Sequence, residues 1–252
     1  NTFRYLLGNL NDNFEEIELE KINLSELPEL EQFMLHKIYS LNENFKNYFD
    51  NYDFHNLYKE LLNFCTVDLS AFYFDIRKDS LYCDSKDSKK RKSTIILLNV
   101  ILNSLLKWFA PILSFTTEEI YKLIMDDNKS IHLTKFLDYP KNFKNENLNQ
   151  KWLELIKIRN VCNISIEEKR ASKEIGSSLE ASLKINLDKK LNEISKDVDF
   201  SELCITSSAE VSYLENSETK VQTSKAEGSK CQICWKITKE ACSRKTCPKH
   251  TE

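Results

Sequence analysis

Apolar residues recur every three or four positions from position 1 to roughly position 170, the spacing of amphipathic helices. Phe33, Ile38, Leu41, Phe45 and Phe49 form one stripe, Leu57, Leu61, Phe64, Leu69 and Phe72 a second, and Trp152, Leu155, Ile156 and Ile166 a third. Turn formers and charges interrupt the period at Pro28, 50–53, 80–92, Pro111 and 126–147. The stripes predict a helical bundle held by its core, because burying each large apolar side chain contributes about 1.5–3 kcal/mol. The longest apolar run, 95–109, is broken by Asn99, Asn103, Ser104 and Lys107. It is too short to span a bilayer and reads as a helix buried on most faces.

After Arg170 the period changes to two. Leu179, Ala181, Leu183, Ile185 and Leu187 alternate with polar residues and predict a strand. A short helix is expected around Leu191 and Ile194, then two short strands carrying Leu203 with Ile205 and Val211 with Tyr213. Residues 216–230 are polar, with Val221 their only bulky apolar side chain, and read as a tether. The expected organisation is mainly α: a helical domain over 1–170, a small α+β appendage over 171–215, a linker over 216–229 and a C-terminal metal module over 230–252.

Composition narrows the functions. The chain has 252 residues, 36 Lys and Arg against 39 Asp and Glu, and a net charge of -3. With only three glycines, neither G-x-G-x-x-G nor G-x-x-x-x-G-K-[ST] occurs, which excludes those two nucleotide cradles. The first twenty residues are studded with acids and amides, and no signal peptide is expected. Position 1 is Asn1 with a helical pattern already running, so a piece of a longer chain is expected. Cys65, Cys83, Cys162 and Cys204 are scattered singly, which suits a reduced, cytoplasmic protein better than a disulfide framework.

The remaining cysteines are clustered. Cys231-x2-Cys234 and Cys247-x2-His250 give the spacing C-x2-C-x12-C-x2-H. Two ligands separated by two residues share one tight turn, and two such turns complete a tetrahedral shell. The expectation is one structural zinc ion, since a segment this short has little apolar core of its own. Four protein ligands leave no open position for a catalytic water. Cys242 competes for the third or fourth place in the shell, and the ligand set stays open between it, Cys247 and His250.

Charge is unevenly distributed. From Lys220 to Glu252 there are eight basic residues against three acidic ones, so this tail is basic and the remainder of the chain acidic. A basic module carrying Trp235 beside its metal turn suits a polyanion, and an unstacked RNA base would lie on such a ring. Trp235 equally suits a cover over the metal. Lys157, Arg159, Lys169, Arg170 and Lys173 form a second basic run able to follow a phosphate backbone or simply to be solvated. Lys86–Lys92 reads as a solvated loop. His36, His55 and His132 lack partners for catalysis or metal binding, and no catalytic residue is assigned. Glu118 and Glu119, after Thr116 and Thr117, read as acids at a helix N-terminus.

The segments NTFRYLLGNLNDNF, YDFHNLYKELLNFCTVDLSAFYFDIRKDSLY, WFAPILSFTTEEIY, KEIGSSLEA and SKAEGSKCQICW occur in this order. Together they resemble the C-terminal part of bacterial isoleucyl-tRNA synthetases. Trp108, Ala110, Pro111, Phe115 and Glu119 are similar to a pattern shared by class I synthetases for aliphatic amino acids. The resemblance implies an anticodon-binding helical domain, a small mixed domain and a zinc module that helps hold the anticodon stem-loop. That family's tail carries two C-x2-C pairs, whereas the second pair here is Cys247 and His250.

Neither an H-I-G-H-like nor a K-M-S-K-S segment occurs, so no catalysis is expected of these residues alone. The parent enzyme implied by the resemblance would use ATP to join isoleucine to its tRNA. Its catalytic and editing domains and the tRNA are the implied partners, with a monomer, no membrane and the cytoplasm as the setting. Arg77, Lys78, Arg159, Arg170, Lys173, Trp235 and Lys236 are the candidate tRNA contacts, by charge and by location in the resembling segments. Two alternatives compete: a zinc-knuckle module that binds another protein, and a free-standing RNA-binding protein.

Overall fold

The computed structural model describes residues 1–10, 14–15, 17–125, 129–213 and 219–239. They form two compact units, one of residues 1–81 and 86–145, the other of residues 82–85 and 146–252. The boundary differs from the expected one at 170, because the last long helix belongs with the sheet that follows it.

The first unit contains α1 (Thr2–Leu10), α2 (Glu29–Asp50), α3 (Phe54–Asn63), most of α4 (Phe74–Tyr82), α5 (Lys89–Phe109) and α6 (Ser114–Ile124). Two of its helices begin where polar side chains satisfy orphan amides. Asp53 accepts from the Asn56 amide ahead of α3, and Ser88 from the Arg91 amide ahead of α5. The predicted stripes face inward: Phe33, Ile38, Phe45, Leu57, Leu61, Phe64 and Leu69 are fully or almost fully buried. Trp108 of α5 lies at the centre, edge-on to Phe45 at 4.9 Å and to Phe64 at 6.2 Å. Its indole N–H donates to Asn42 Oδ1 at 3.1 Å, so the one polar atom of a buried ring is satisfied.

Between α3 and α4 the chain stays helical but widens into a ten-residue π-helix, Phe64–Tyr73. Such segments are rare and rotate the faces of the flanking helices. At its end Tyr73 donates to Glu31 Oε1 at 3.0 Å, and Arg77 of α4 grips both oxygens of the same carboxylate at 2.6 Å.

The second unit contains α7 (Glu146–Ala171), β1 (Ala181–Leu187), α8 (Lys189–Ser195), α9 (Phe200–Leu203), β2 (Ser208–Tyr213), β3 (Lys220–Lys225) and a small hairpin of β4 (Ser229–Lys230) and β5 (Ile237–Thr238). The three-stranded sheet has the order β2-β1-β3, with β1 parallel to β2 and antiparallel to β3. Ala181, Leu183, Ile185 and Leu187 of β1 are all fully buried, as their alternation predicts. α7 packs against β3 and β1.

Two expectations need correction here. Much of the expected linker is β3, in register from Lys225↔Ala181 to Lys220↔Asn186. Its inward residues are only Val221 and Thr223, and the Thr223 hydroxyl meets Ser165 of α7 at 2.8 Å, so an edge strand was hidden by its polarity. Leu203 and Ile205 form no strand. Leu203 ends α9, whose first amides are capped by Asp199, and Ile205 turns the chain at φ 56°.

Candidate nucleic-acid interface

The β4–β5 hairpin presents the Cys231-x2-Cys234 turn. Pairing of Ser229 with Thr238 and of Lys230 with Ile237 brings the chain back on itself. The Cys231 amide donates to the Lys236 carbonyl at 2.8 Å and the Trp235 amide to the Cys231 carbonyl at 3.1 Å. Gly228 is required at its entry: φ is 132°, and a Cβ there would lie 2.2 Å from the Thr238 carbonyl oxygen. Ser207 anchors the far side, accepting from the Ile237 amide at 2.6 Å.

The two thiols are 1% and 4% exposed and share one apolar cluster with Ile233 and Cys83. The Ile233 amide points at Cys231 Sγ at 3.4 Å. Among the described residues no group of three or more His, Cys, Asp or Glu is placed to hold a metal. Cys242, Cys247 and His250, the other expected ligands, lie outside the described residues.

Cys83 in this cluster is the feature sequence reasoning missed. It lies in the 82–85 turn and packs its sulfur near the Ile233 carbonyl, 150 residues away in the chain. No local pattern announces a contact at that separation. The other single cysteines are sequestered thiols: burial pushes Cys65 up to about 11, while a hydrogen bond with Cys162, reinforced by burial, raises Cys204 well above the ordinary thiol value.

Trp235 follows the turn with φ 64°, a left-handed conformation that costs a bulky residue about 1–2 kcal/mol. The ring is 61% exposed, and the Lys230 ammonium lies 5.9 Å from its centroid. An exposed indole beside a cation is the arrangement that stacks on nucleic-acid bases.

The remaining candidates divide. Arg170 and Lys173, at the end of α7, line one cleft of about 480 Å³ with Glu167 and Gly176, and Arg170 also pairs with Glu167 at 2.7 Å. Arg159 donates from Nε to the Leu203 carbonyl at 2.9 Å, so this side chain holds α9. Lys78 is half exposed and paired with Asp75 at 2.7 Å. Arg77, expected to face RNA, is instead 3% exposed on the Glu31 carboxylate, and Lys236 is 7% exposed with Asp199 within electrostatic reach. Both were chosen for charge, and burial withdraws them from a surface role.

Glu118 also differs from expectation. It accepts from the Ser130 hydroxyl at 2.9 Å and the Ile131 amide at 3.1 Å, and so pins the loop after α6. Partial desolvation pushes its carboxyl up, but these bonds and Lys122 outweigh it and hold the pKa below the usual carboxylate value. No helix among the described residues is long and apolar enough to cross a membrane.

The model of the anticodon-binding domain of tRNA ligase matches residues 31–185. The isoleucine--tRNA ligase of Pelagibacter ubique is 69% identical over 244 residues, covering 97% of this chain and 27% of that protein. The isoleucine--tRNA ligase of Agrobacterium fabrum is 39% identical over 250 residues, covering 94% of this chain and 25% of that protein. The chain therefore spans about a quarter of the length of these relatives. A match over 31–185, which takes in α2 to α7 and most of β1, places this chain in the anticodon-binding domain family of tRNA ligases.

Proposed function

We propose that this chain is the tRNA-binding part of an isoleucine--tRNA ligase, gripping the anticodon stem-loop of isoleucine tRNA while the rest of the parent protein performs aminoacylation with ATP. The family match over 31–185 carries the reading, and the knuckle supports it by holding Trp235 out under Lys230. The helical unit supplies a rigid body, and Trp235 supplies a platform for an unpaired base of the loop. Arg170, Lys173 and Lys78 are the proposed phosphate contacts. The chain acts in the cytoplasm as a single copy and contributes binding energy and orientation, not chemistry.

One structural zinc ion completes the knuckle in this reading. Cys231 and Cys234 supply half of the shell, with Cys247 and His250 as the other half and Cys242 as the rival ligand. The metal ties the basic tail into one fold and does no catalysis, since four protein ligands close its coordination.

The test is binding of the chain to an isoleucine tRNA transcript and to an anticodon-substituted control at two salt concentrations. The expected result is weaker binding of the control, with affinity that falls steeply with salt as counterions are released. Equal binding of both transcripts would overturn anticodon recognition.

A further inference from the structure

One row of apolar side chains on α3 is left in water. Phe54, Tyr58 and Leu62 follow one another at i, i+4 and i+8 along a single face, and each is 45–47% exposed. The neighbouring face of the same helix is fully used, because Leu57 and Leu61 are completely buried, as is Phe64 at the start of the π-helix. An isolated exposed apolar residue is ordinary, but a row at this spacing is the ridge over which a second helix packs.

The direction of α1 indicates what covers it. α3, the π-helix and α4 follow one another without a break. The Thr2 hydroxyl of α1 hydrogen-bonds the thiol of Cys65, three residues beyond Leu62, and further along α1 Tyr5 stacks on Phe74 with ring centroids 4.4 Å apart. Later residues of α1 therefore meet later residues of that run, and the two advance in the same sense. Followed backwards from Thr2, the line of α1 leads from Cys65 towards Leu62, Tyr58 and Phe54. Helical bonding is already in place at the first residue, since the Tyr5 amide donates to the Asn1 carbonyl at 2.9 Å, and extending a formed helix costs less than nucleating a new one. This chain covers only 27% and 25% of the two ligases compared above, so proteins of this kind hold ample chain outside it to supply such an extension.

We infer that Phe54, Tyr58 and Leu62 seat an amphipathic helix, the continuation of α1 ahead of Asn1 in the parent protein. Its apolar side chains would interdigitate with the row and remove it from water, which is the stabilising term for helix pairs of this kind. The row mixes an aliphatic residue with two rings, and its spacing matches the turns of a facing helix. The inference rests on the reading of this chain as part of a longer ligase whose other domains precede it, as the resemblance implies. It adds a joint within the parent protein rather than a contact with RNA.

The experiment uses the full-length parent protein carrying the photoreactive substitution Tyr58→p-benzoylphenylalanine, irradiated without tRNA, with the crosslinked peptides mapped by mass spectrometry. Tyr58 is half exposed, so the larger side chain enters without repacking the core. The expected product is an intramolecular crosslink to the peptide directly ahead of Asn1, unchanged by dilution and not displaced by added tRNA. A crosslink to any other part of the parent, to a second copy or to tRNA, or no crosslink at all, would overturn the inference. Leu62→Glu places a charge in the same joint and should lower the unfolding temperature of the parent by several degrees, and an unaltered unfolding temperature would count equally against the joint. Charging of tRNA with isoleucine is followed on the unsubstituted parent: its absence would overturn the ligase reading, while the crosslink still decides where the continuation of α1 lies.

Discussion

Arg77 Nε and Glu31 Oε1 are 2.6 Å apart, with side chains 3% and 0% exposed, and Tyr73 donates to the same carboxylate. Two charges have left water here only because each satisfies the other. The pair joins α2 to α4 across the ten-residue π-helix. We expect Glu31→Ala, which takes the carboxylate away from a buried guanidinium, to destabilise the chain by about 3–5 kcal/mol in urea unfolding. The double substitution Glu31→Leu with Arg77→Met should recover most of that loss. If Arg77 were a tRNA contact instead, the double variant would fold normally and lose affinity.

Gly228 and Cys231 give a paired prediction about the knuckle. Gly228→Ala places a methyl group 2.2 Å from the Thr238 carbonyl oxygen and opens the hairpin that aligns the two thiols. Cys231→Ser removes one of the proposed zinc ligands. Both variants should lose bound zinc by elemental analysis, while far-UV circular dichroism keeps nearly the full helical signal, because β4, β5 and the turn between them contain none of the long helices. Loss of most of the helical signal would show that the bundle needs the knuckle to fold.

Trp235 allows backbone and ring to be separated. Trp235→Gly removes the ring and relieves the left-handed strain at φ 64°, whereas Trp235→Ala removes the ring and keeps the strain. Both should weaken binding of the isoleucine tRNA transcript by a stacking contribution of about 1–3 kcal/mol, and the glycine variant should hold zinc at least as well as the parent chain. Full tRNA affinity in Trp235→Gly would reduce the residue to a cover for the metal turn.

The cap of α9 should make stability pH-dependent in a defined direction. Burial pushes the Asp199 carboxyl up, but the Ser201 hydroxyl, the Glu202 and Ser201 amides and nearby Lys236 outweigh it and hold the pKa below the ordinary value. A depressed folded pKa contributes stability that is complete above the unfolded value, about pH 4, and is lost as pH falls through the folded value. Asp199→Ala should therefore cost about 1 kcal/mol near neutral pH, and the gap from the parent chain should close in acid. A gap that is constant from pH 7 to pH 2 would show that the carboxylate charge is not what caps the helix.

The helices were legible because their signal is local. Phe33 to Phe49 repeats at helical spacing, Asp53 and Ser88 punctuate, and most of each stripe is buried, with Leu41, Phe49 and Ile156 only half-buried. The strand at 181–187 announced itself by strict alternation. β3 did not, since an edge strand with Val221 and Thr223 on its inward face carries too little apolar pattern to stand out from a tether. The Cys231 turn was legible from spacing, but the neighbourhood of Cys83 and the burial of Arg77 and Lys236 were not. Charge along a chain states what a side chain carries and leaves open which partner, far away in sequence, has claimed it.

The 82–85 turn belongs with the C-terminal unit although helical-unit residues flank it on both sides. Its Cys83 meets Ile233 only after 150 further residues have been made. At roughly 5–20 residues per second on the ribosome, that thiol waits on the order of 8–30 s before its neighbours exist. The flanking helices have all their own residues by position 145, whereas the 82–85 turn completes its own unit only once the residues around Ile233 have been made.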